Sequence, residues 1–322
     1  MGEIMTTTDH LHVVFGTGAI GMAIIEELHG KGRTVRAVNR SGTADVPSGV
    51  EVVAGDASST EFTVEASAGA GVVYFSLNPP YTSWPEMFPP LQAAIIEGAA
   101  SANAKLVVVD NLYMYGPTDG QPLTEDLPHA ATTRKGSVRA QMAADLMVAS
   151  EDGKVRVAVG RPSDYFGPRG LLSAMGERVF YPALAGKKAQ VMGDPDQLHS
   201  YSYLPDVARS LVTLGESDAA DGKAWHLPNA PAVTTREFIE MVFAAAGTEP
   251  SVQVMPRIMV SAVGFFSGNV RELKEMLYEF EEPFVVDDSR FEAAFGGSAT
   301  PLPEAIGTTV AWFRTHPAKT GS

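Results

Sequence analysis

The chain contains no cysteine, which removes disulfides, thiolate zinc sites and a cysteine nucleophile together and fits a reducing compartment. Positive charge is also scarce. Lys and Arg number 24 against 38 Asp and Glu, leaving a formal net charge of −14 at pH 7. That field repels phosphate backbones and no Lys/Arg cluster offsets it, so nucleic acid is not an expected partner. Long apolar runs are missing too. Met1 to His10 carries no basic start followed by an apolar stretch, and Met259 to Phe266 is too short to cross a bilayer. The expectation is a cytoplasmic protein without a secretory signal or membrane span, a monomer or homodimer acting on a small-molecule substrate. There is no Gly-x-Ser-x-Gly elbow, no His-Glu-x-x-His and no phosphate loop ending in Gly-Lys-Ser/Thr, which argues against hydrolase and nucleoside triphosphatase readings. The seven His are scattered, and the close pair His10-x-His12 reads as a solvated strand edge; no metal site is expected.

What is present is ordinary for a globular enzyme: 45% apolar and 19% charged residues in 322 positions, a length suited to two domains or one elaborated α/β domain. Short β-rich runs at His12–Phe15, Thr34–Asn39, Val50–Ala54, Val72–Leu77, Leu106–Val109 and Val155–Val159 alternate with helical patterns. That alternation predicts a doubly wound, six-stranded parallel sheet of the Rossmann type. Ile20, Ile24 and Leu28 form the apolar stripe of the first helix, and Pro85–Ala102 and Thr132–Ala149 are further helices. After Arg161 the regularity lapses. The nucleotide-binding domain is placed at residues 10–165 with a return at 203–225. A smaller discontinuous α/β lobe takes 166–202 and 226–322, including Trp225–Leu227, a helix opening near Thr235, and an amphipathic run Val270–Phe280.

Gly16-Thr17-Gly18-Ala19-Ile20-Gly21 directly follows an apolar strand and opens a helix, the context that makes a glycine pattern a dinucleotide fingerprint. Gly16 permits the tight turn, Gly18 admits a pyrophosphate, Gly21 lets helix and strand approach, and the helix N-terminus supplies free N–H groups. The second strand ends in Asn39-Arg40-Ser41-Gly42. A carboxylate would accept from ribose hydroxyls here, whereas a guanidinium pairs with a 2′-phosphate, so Arg40 favours NADP(H) over NAD(H). The alternative is a solvated turn arginine. Gly55-Asp56, after the third strand, is read either as an acceptor for the adenine amine or as a cap of the next helix.

These residues, in this order, resemble the extended short-chain dehydrogenase/reductase superfamily, which includes nucleotide-sugar epimerases and dehydratases. Further landmarks are Tyr113-Met114-Tyr115-Gly116, Glu125-Asp126-Leu127-Pro128, Arg161-Pro162-Ser163-Asp164-Tyr165-Phe166-Gly167-Pro168 and Ser200-Tyr201-Ser202-Tyr203-Leu204-Pro205-Asp206-Val207. The resemblance implies cofactor contacts at Leu77, Asn78, Lys135 and Pro162 beside those of the glycine turn. Phe15 stands where that superfamily's glycine motif usually begins, the form of its atypical members.

A larger departure is catalytic. The superfamily uses a Tyr-x-x-x-Lys pair, and none exists anywhere in this chain. Carried forward from the Glu125 landmark with a one-residue deletion, Lys135 takes the tyrosine place and Arg139 the lysine place. Asn111 takes the place of the Ser or Thr, and Tyr113, also turned to substrate in relatives, is the expected proton donor, with Lys135 depressing its pKa. The competing reading makes Tyr113 a packing aromatic and Lys135 a solvated residue. Asn78, Tyr165, His199 and Tyr201 are the expected substrate contacts, with His199 equally readable as packing. Three functions stand at this point. They are an NADP-dependent oxidoreductase of the atypical type acting on a small carbonyl, imine or enone, an epimerase or dehydratase with tightly held nucleotide, and a non-catalytic NADP-binding redox regulator.

Overall fold

In a computed structural model of the protein, residues 10–255 and 274–318 are described. The chain opens with strand β1 (Leu11–Phe15), helix α1 (Ala19–Gly30), β2 (Val35–Asn39), β3 (Glu51–Ala54), α2 (Thr60–Ser67) and β4 (Ala70–Phe75). It continues with α3 (Trp84–Ser101), β5 (Lys105–Val109), α4 (Arg134–Glu151) and β6 (Arg156–Arg161). All pair in parallel, and the order across the sheet, β6-β5-β4-β1-β2-β3, reverses direction between β1 and β4. Ligands of open α/β sheets bind beyond the strands' carboxyl ends at such a reversal. The sheet is Rossmann-like, as expected.

Beyond β6 come β7 (Asp164–Phe166), α5 (Glu177–Leu184), β8 (Ala189–Met192), β9 (Leu198–His199), β10 (Tyr201–Tyr203), α6 (Leu204–Glu216) and β11 (Lys223–His226). The sheet has seven strands, because β11 adds in parallel beside β6. His226, assigned above to the small lobe, therefore belongs to the sheet with Trp225. α6 returns against α1, burying Val207, Leu211 and Leu214 with Ile24 and Leu28 in one core on that face of the sheet. A second core on the opposite face joins Phe75, Phe88, Ile95 and Leu146. A third core belongs to the small lobe. There β12 (Val233–Thr234), α7 (Thr235–Ala246), β13 (Val252–Met255) and the helix Leu302–Thr315 bury Phe166, Phe180, Phe238 and Phe313. α7 starts with a capping box in which Thr234 and Glu237 satisfy each other's backbone N–H groups.

His12 is not a solvated edge: it is 4% exposed, stacks on Tyr74, and its Nδ1 lies 3.2 Å from the Tyr74 hydroxyl. The Met259–Phe266 stretch lies outside the described residues, as does the first part of Val270–Phe280; the remainder ends in a short helix, Tyr278–Glu281. Among the described residues no helix is long and apolar enough to cross a membrane, and no group of His, Asp or Glu could hold a metal ion.

Candidate active site

The glycine turn is built by contact. Gly16 has φ +109°, and a Cβ there would lie 2.9 Å from the Ser76 carbonyl oxygen. A Cβ on Gly21 would lie 2.0 Å from the Gly16 oxygen and 2.7 Å from Ser76 Oγ. Both positions require glycine to let α1 press on the β1–β4 junction, where Ser76 Oγ donates to the Phe15 carbonyl. Gly18 differs: a Cβ there meets nothing within 4 Å, and Gly18 caps α1 without a side-chain bond to its N–H groups. An exposed glycine opening a helix with free donors fits a pyrophosphate. Thr17 is fixed by a 2.9 Å bond from Asn39 Nδ2, while Asn39 Oδ1 accepts from Gly42 N–H at 2.7 Å. The Asn39 amide is thus spent on shaping the turn that displays Arg40. Arg40 is exposed, with Asp56 its charged neighbour across the ends of β2 and β3. Asp56 does not cap α2; Ser59 does, accepting from Phe62 N–H. Asp56 instead accepts from Ser58 N–H and Oγ, which together with Arg40 hold its carboxyl below the usual range. Gly55 is needed because a Cβ would stand 2.1 Å from the Phe62 ring.

At the other end of the switch point, the short turn Tyr113–Tyr115 follows β5. Asn111 Oδ1 accepts from Tyr113 N–H at 3.1 Å. Below it Arg161 donates to Asp110 at 3.2 Å and to the Tyr115 hydroxyl at 2.7 Å, and Tyr115 meets His226 Nε2 at 2.9 Å. His226 Nδ1 faces the Asp287 carbonyl, which only accepts, so Nδ1 carries the hydrogen and Tyr115 donates to Nε2. Burial, reinforced by Arg161, holds His226 below its ordinary pKa. Arg139 completes this buried network, 3.5 Å from Asp110 and lying over the Trp84 and Phe88 rings. The residue in the lysine place therefore supports the turn through Asp110. α4 can approach because Gly136 has no Cβ, which would stand 2.6 Å from the Tyr113 carbonyl.

Tyr113 shares a 2.8 Å hydroxyl–hydroxyl bond with Tyr81, from the turn before α3, and stacks on Trp84. The expected lowering of its pKa is reversed. Burial first, then the neighbouring Tyr81, Glu279 and Asp164, push the Tyr113 phenol well above its ordinary range, so it keeps its proton more tightly than free tyrosine. Lys135 is buried, not solvated: its Nζ is 3.7 Å from Glu275 and 5.2 Å from the Tyr81 ring centroid. Glu275 also accepts from the Lys135 backbone N–H in the first turn of α4, where a carboxylate suits the helix dipole.

Around this pair stand Asp164 and Tyr165 of β7, both half-buried, with burial and Asp164 raising the Tyr165 phenol. His199 is 2% exposed, donates Nε2 to Asp164 at 2.9 Å, and stacks between Phe280 and Phe284. Tyr201 is buried beside them, its ring stacked on His199 at 4.7 Å between centroids and its hydroxyl 2.7 Å from Thr235 in the small-lobe core. Pro162 is buried, Leu77 half-buried and Asn78 exposed, all just beyond the carboxyl ends of β6 and β4.

The sequence profile of the NAD-dependent epimerase/dehydratase family matches residues 13–227. The chain belongs to this family. The UDP-N-acetylglucosamine 4-epimerase of Bacillus cereus superposes with a TM-score of 0.76 at 15% identity, over 95% of this chain and 96% of that one. The Bordetella bronchiseptica enzyme WbmH, solved with NAD+, gives 0.72 at 18% over 95% and 99%. Both likenesses are of fold. A 3beta-hydroxysteroid-dehydrogenase/decarboxylase isoform 2 from Arabidopsis thaliana is 28% identical over 138 residues, 38% of this chain and 22% of that protein. The chain therefore matches about a fifth of that relative's length. As a family member without the Tyr-x-x-x-Lys pair, the chain collects around Tyr113 a set to which the sequence reading assigned no role: Tyr81, Asp164 and Glu279. Tyr81 could have been noticed as the first aromatic after Asn78-Pro79-Pro80, where the chain leaves a strand's carboxyl end. Glu279 had no comparable local signal.

Proposed function

We propose that the protein is an NADP-dependent oxidoreductase of the atypical short-chain type, acting on a small carbonyl, imine or enone. The observation that carries the nucleotide choice is Arg40: a guanidinium exposed at the carboxyl end of β2, beside the glycine turn, in the position where a carboxylate would accept from the ribose hydroxyls and repel a 2′-phosphate. Gly16, Thr17, Gly18, Ala19, Ile20 and Gly21 form the pyrophosphate cradle, Gly55 and Asp56 flank the adenine side, and Leu77, Asn78, Lys135 and Pro162 border the nicotinamide side. When bound, the nucleotide supplies or accepts a hydride. The chain's own residues do the rest. Tyr113, kept protonated and oriented by Tyr81, donates a hydrogen bond to the substrate heteroatom. Asn111, whose oxygen is engaged by Tyr113 N–H, leaves its NH2 as a second donor. Lys135 holds Tyr81 from the opposite side, and Tyr165 and His199 wall the cleft.

Titration with NADPH and NADH, before and after Arg40→Asp, tests the nucleotide, and NADPH oxidation against ketones, imines and enones tests the reaction. Tighter NADH binding by the wild type contradicts the first. Family membership favours a second reading, an epimerase or dehydratase that returns its nucleotide to the starting state. Substrate conversion without net NADPH consumption would establish it.

A further inference from the structure

Glu279 is a buried carboxyl that the account so far does not use. Its side chain is 2% exposed, and its Oε1 has no hydrogen-bond partner among the described residues. Its neighbour Tyr278 likewise buries an unpartnered hydroxyl. Buried polar atoms are nearly always bonded, and each exception points to a ligand, a water or a catalytic role. The short helix that carries Glu279 packs against the site: Phe280 stacks on His199, which bonds Asp164, and just before the helix Glu275 pairs with Lys135 over the Tyr81 ring, while the Glu279 charge raises the phenols of Tyr81, Tyr113 and Tyr278.

We propose that the Glu279 carboxyl is a catalytic acid of this site, delivering a proton to the substrate heteroatom held by Tyr113. The assignment rests on the oxidoreductase reading. It fills the gap left by the missing Tyr-x-x-x-Lys pair, since Tyr113 is too reluctant an acid to fill it. In a carbonyl reduction the new C–H bond takes its electron pair as hydride from the reduced nicotinamide nucleotide, and the C=O π pair moves onto oxygen. The new O–H bond takes the proton of Glu279, whose own O–H bond breaks to leave a carboxylate, and solvent protonates that carboxylate before the next turnover. Asp164, 22% exposed at its side chain, bonds His199 and bears electrostatically on Glu279. Burial first and then the Asp164 charge push the Glu279 carboxyl well above the usual carboxylate range, which favours the protonated form that an acid needs. The titratable groups around it are Asp164 with His199, the phenols of Tyr81, Tyr113 and Tyr278, and the Lys135–Glu275 pair across Tyr81.

The test combines an infrared titration of the nucleotide-free protein with kinetics of Glu279→Gln and Glu279→Asp. The wild type should show a protonated-carboxyl band at neutral pH that Glu279→Gln lacks. Glu279→Gln should bind NADPH as the wild type does, yet lose at least about a hundredfold in kcat together with the alkaline fall of the pH profile. Glu279→Asp should recover part of the rate and the limb. A Glu279→Gln enzyme with wild-type kcat, or with an unchanged carboxyl band, overturns the assignment and leaves the oxidoreductase reading standing. Failure of the wild type to oxidise NADPH with any substrate overturns that reading, and this one with it.

Discussion

Gly18 and Gly21 lie three positions apart in one turn, yet an added methyl should act on them in opposite ways. At Gly21 the Cβ would fall 2.0 Å from a backbone oxygen and 2.7 Å from Ser76 Oγ. Neither atom can withdraw, because the oxygen belongs to the main chain of the turn and Ser76 is bonded to Phe15 and Gly16. Overpacking of this kind costs about 3 kcal/mol, the upper end of its usual range, which for a chain of this length lowers the melting temperature by about 4 °C. At Gly18 nothing lies within 4 Å and φ is −73°, open to any L-residue. Gly18→Ala should cost the unliganded protein less than about 1 kcal/mol, the scale of an altered N-cap. Its methyl would occupy the approach to the α1 N–H groups, so losing one charge-assisted bond, about 1.5–3 kcal/mol, should weaken NADPH binding about 10- to 100-fold. Thermal melts without nucleotide and a fluorescence titration with NADPH measure the two quantities. Equal destabilisation by both substitutions, or wild-type NADPH affinity in Gly18→Ala, refutes the cradle.

Other expectations follow from buried charge. Asp110 is 6% exposed between Arg139 and Arg161, so Asp110→Ala strands two guanidiniums and should cost about 3–5 kcal/mol by chemical denaturation. Glu279 has a folded pKa raised above its ordinary 4.5. Its protonated form therefore contributes stability that is fully present below that value and is lost as pH rises through the folded pKa, so Glu279→Gln should be more stable than the wild type at pH 8 and little changed at pH 4. His226 has a folded pKa below its ordinary 6.5. The unfolded chain takes up a proton first, so stability should decline as pH falls from 6.5 towards the folded pKa, and urea midpoints of His226→Gln should lack that component. Tyr113→Phe removes one hydroxyl of a bonded pair and should reduce kcat/KM about 10-fold or more while NADPH affinity stays within about twofold.

The nucleotide half of the molecule was legible because its determinants are local. A strand, three glycines and an amphipathic helix are contiguous; close contacts explain Gly16 and Gly21, and open space explains Gly18. Even there, the partner that makes Gly16 and Gly21 obligatory is Ser76, which only the β1–β4 pairing brings near. β11 escaped because Lys223–His226 is a short edge strand whose one pairing partner, β6, is separated from it by the whole excursion through the small lobe. The chemical end was legible in place and wrong in character. Tyr113 could be located by counting, but its pKa is set first by burial and then by Tyr81, Glu279 and Asp164, drawn from three distant segments, and the cation expected to lower it pairs with Glu275. For Tyr201, alternation along β10 does not tell that its ring stacks on His199 while Thr235 takes its hydroxyl.

The most direct test of the account is a stoichiometric assay: purified protein, NADPH and a panel of small ketones, imines and enones, with nucleotide oxidation and reduced product measured together. One NADP+ formed per molecule of reduced product, with NADPH preferred over NADH and the preference reversed by Arg40→Asp, is the predicted result. Product formed with no net nucleotide oxidation, or tight NADPH binding with no product from any substrate, would contradict it.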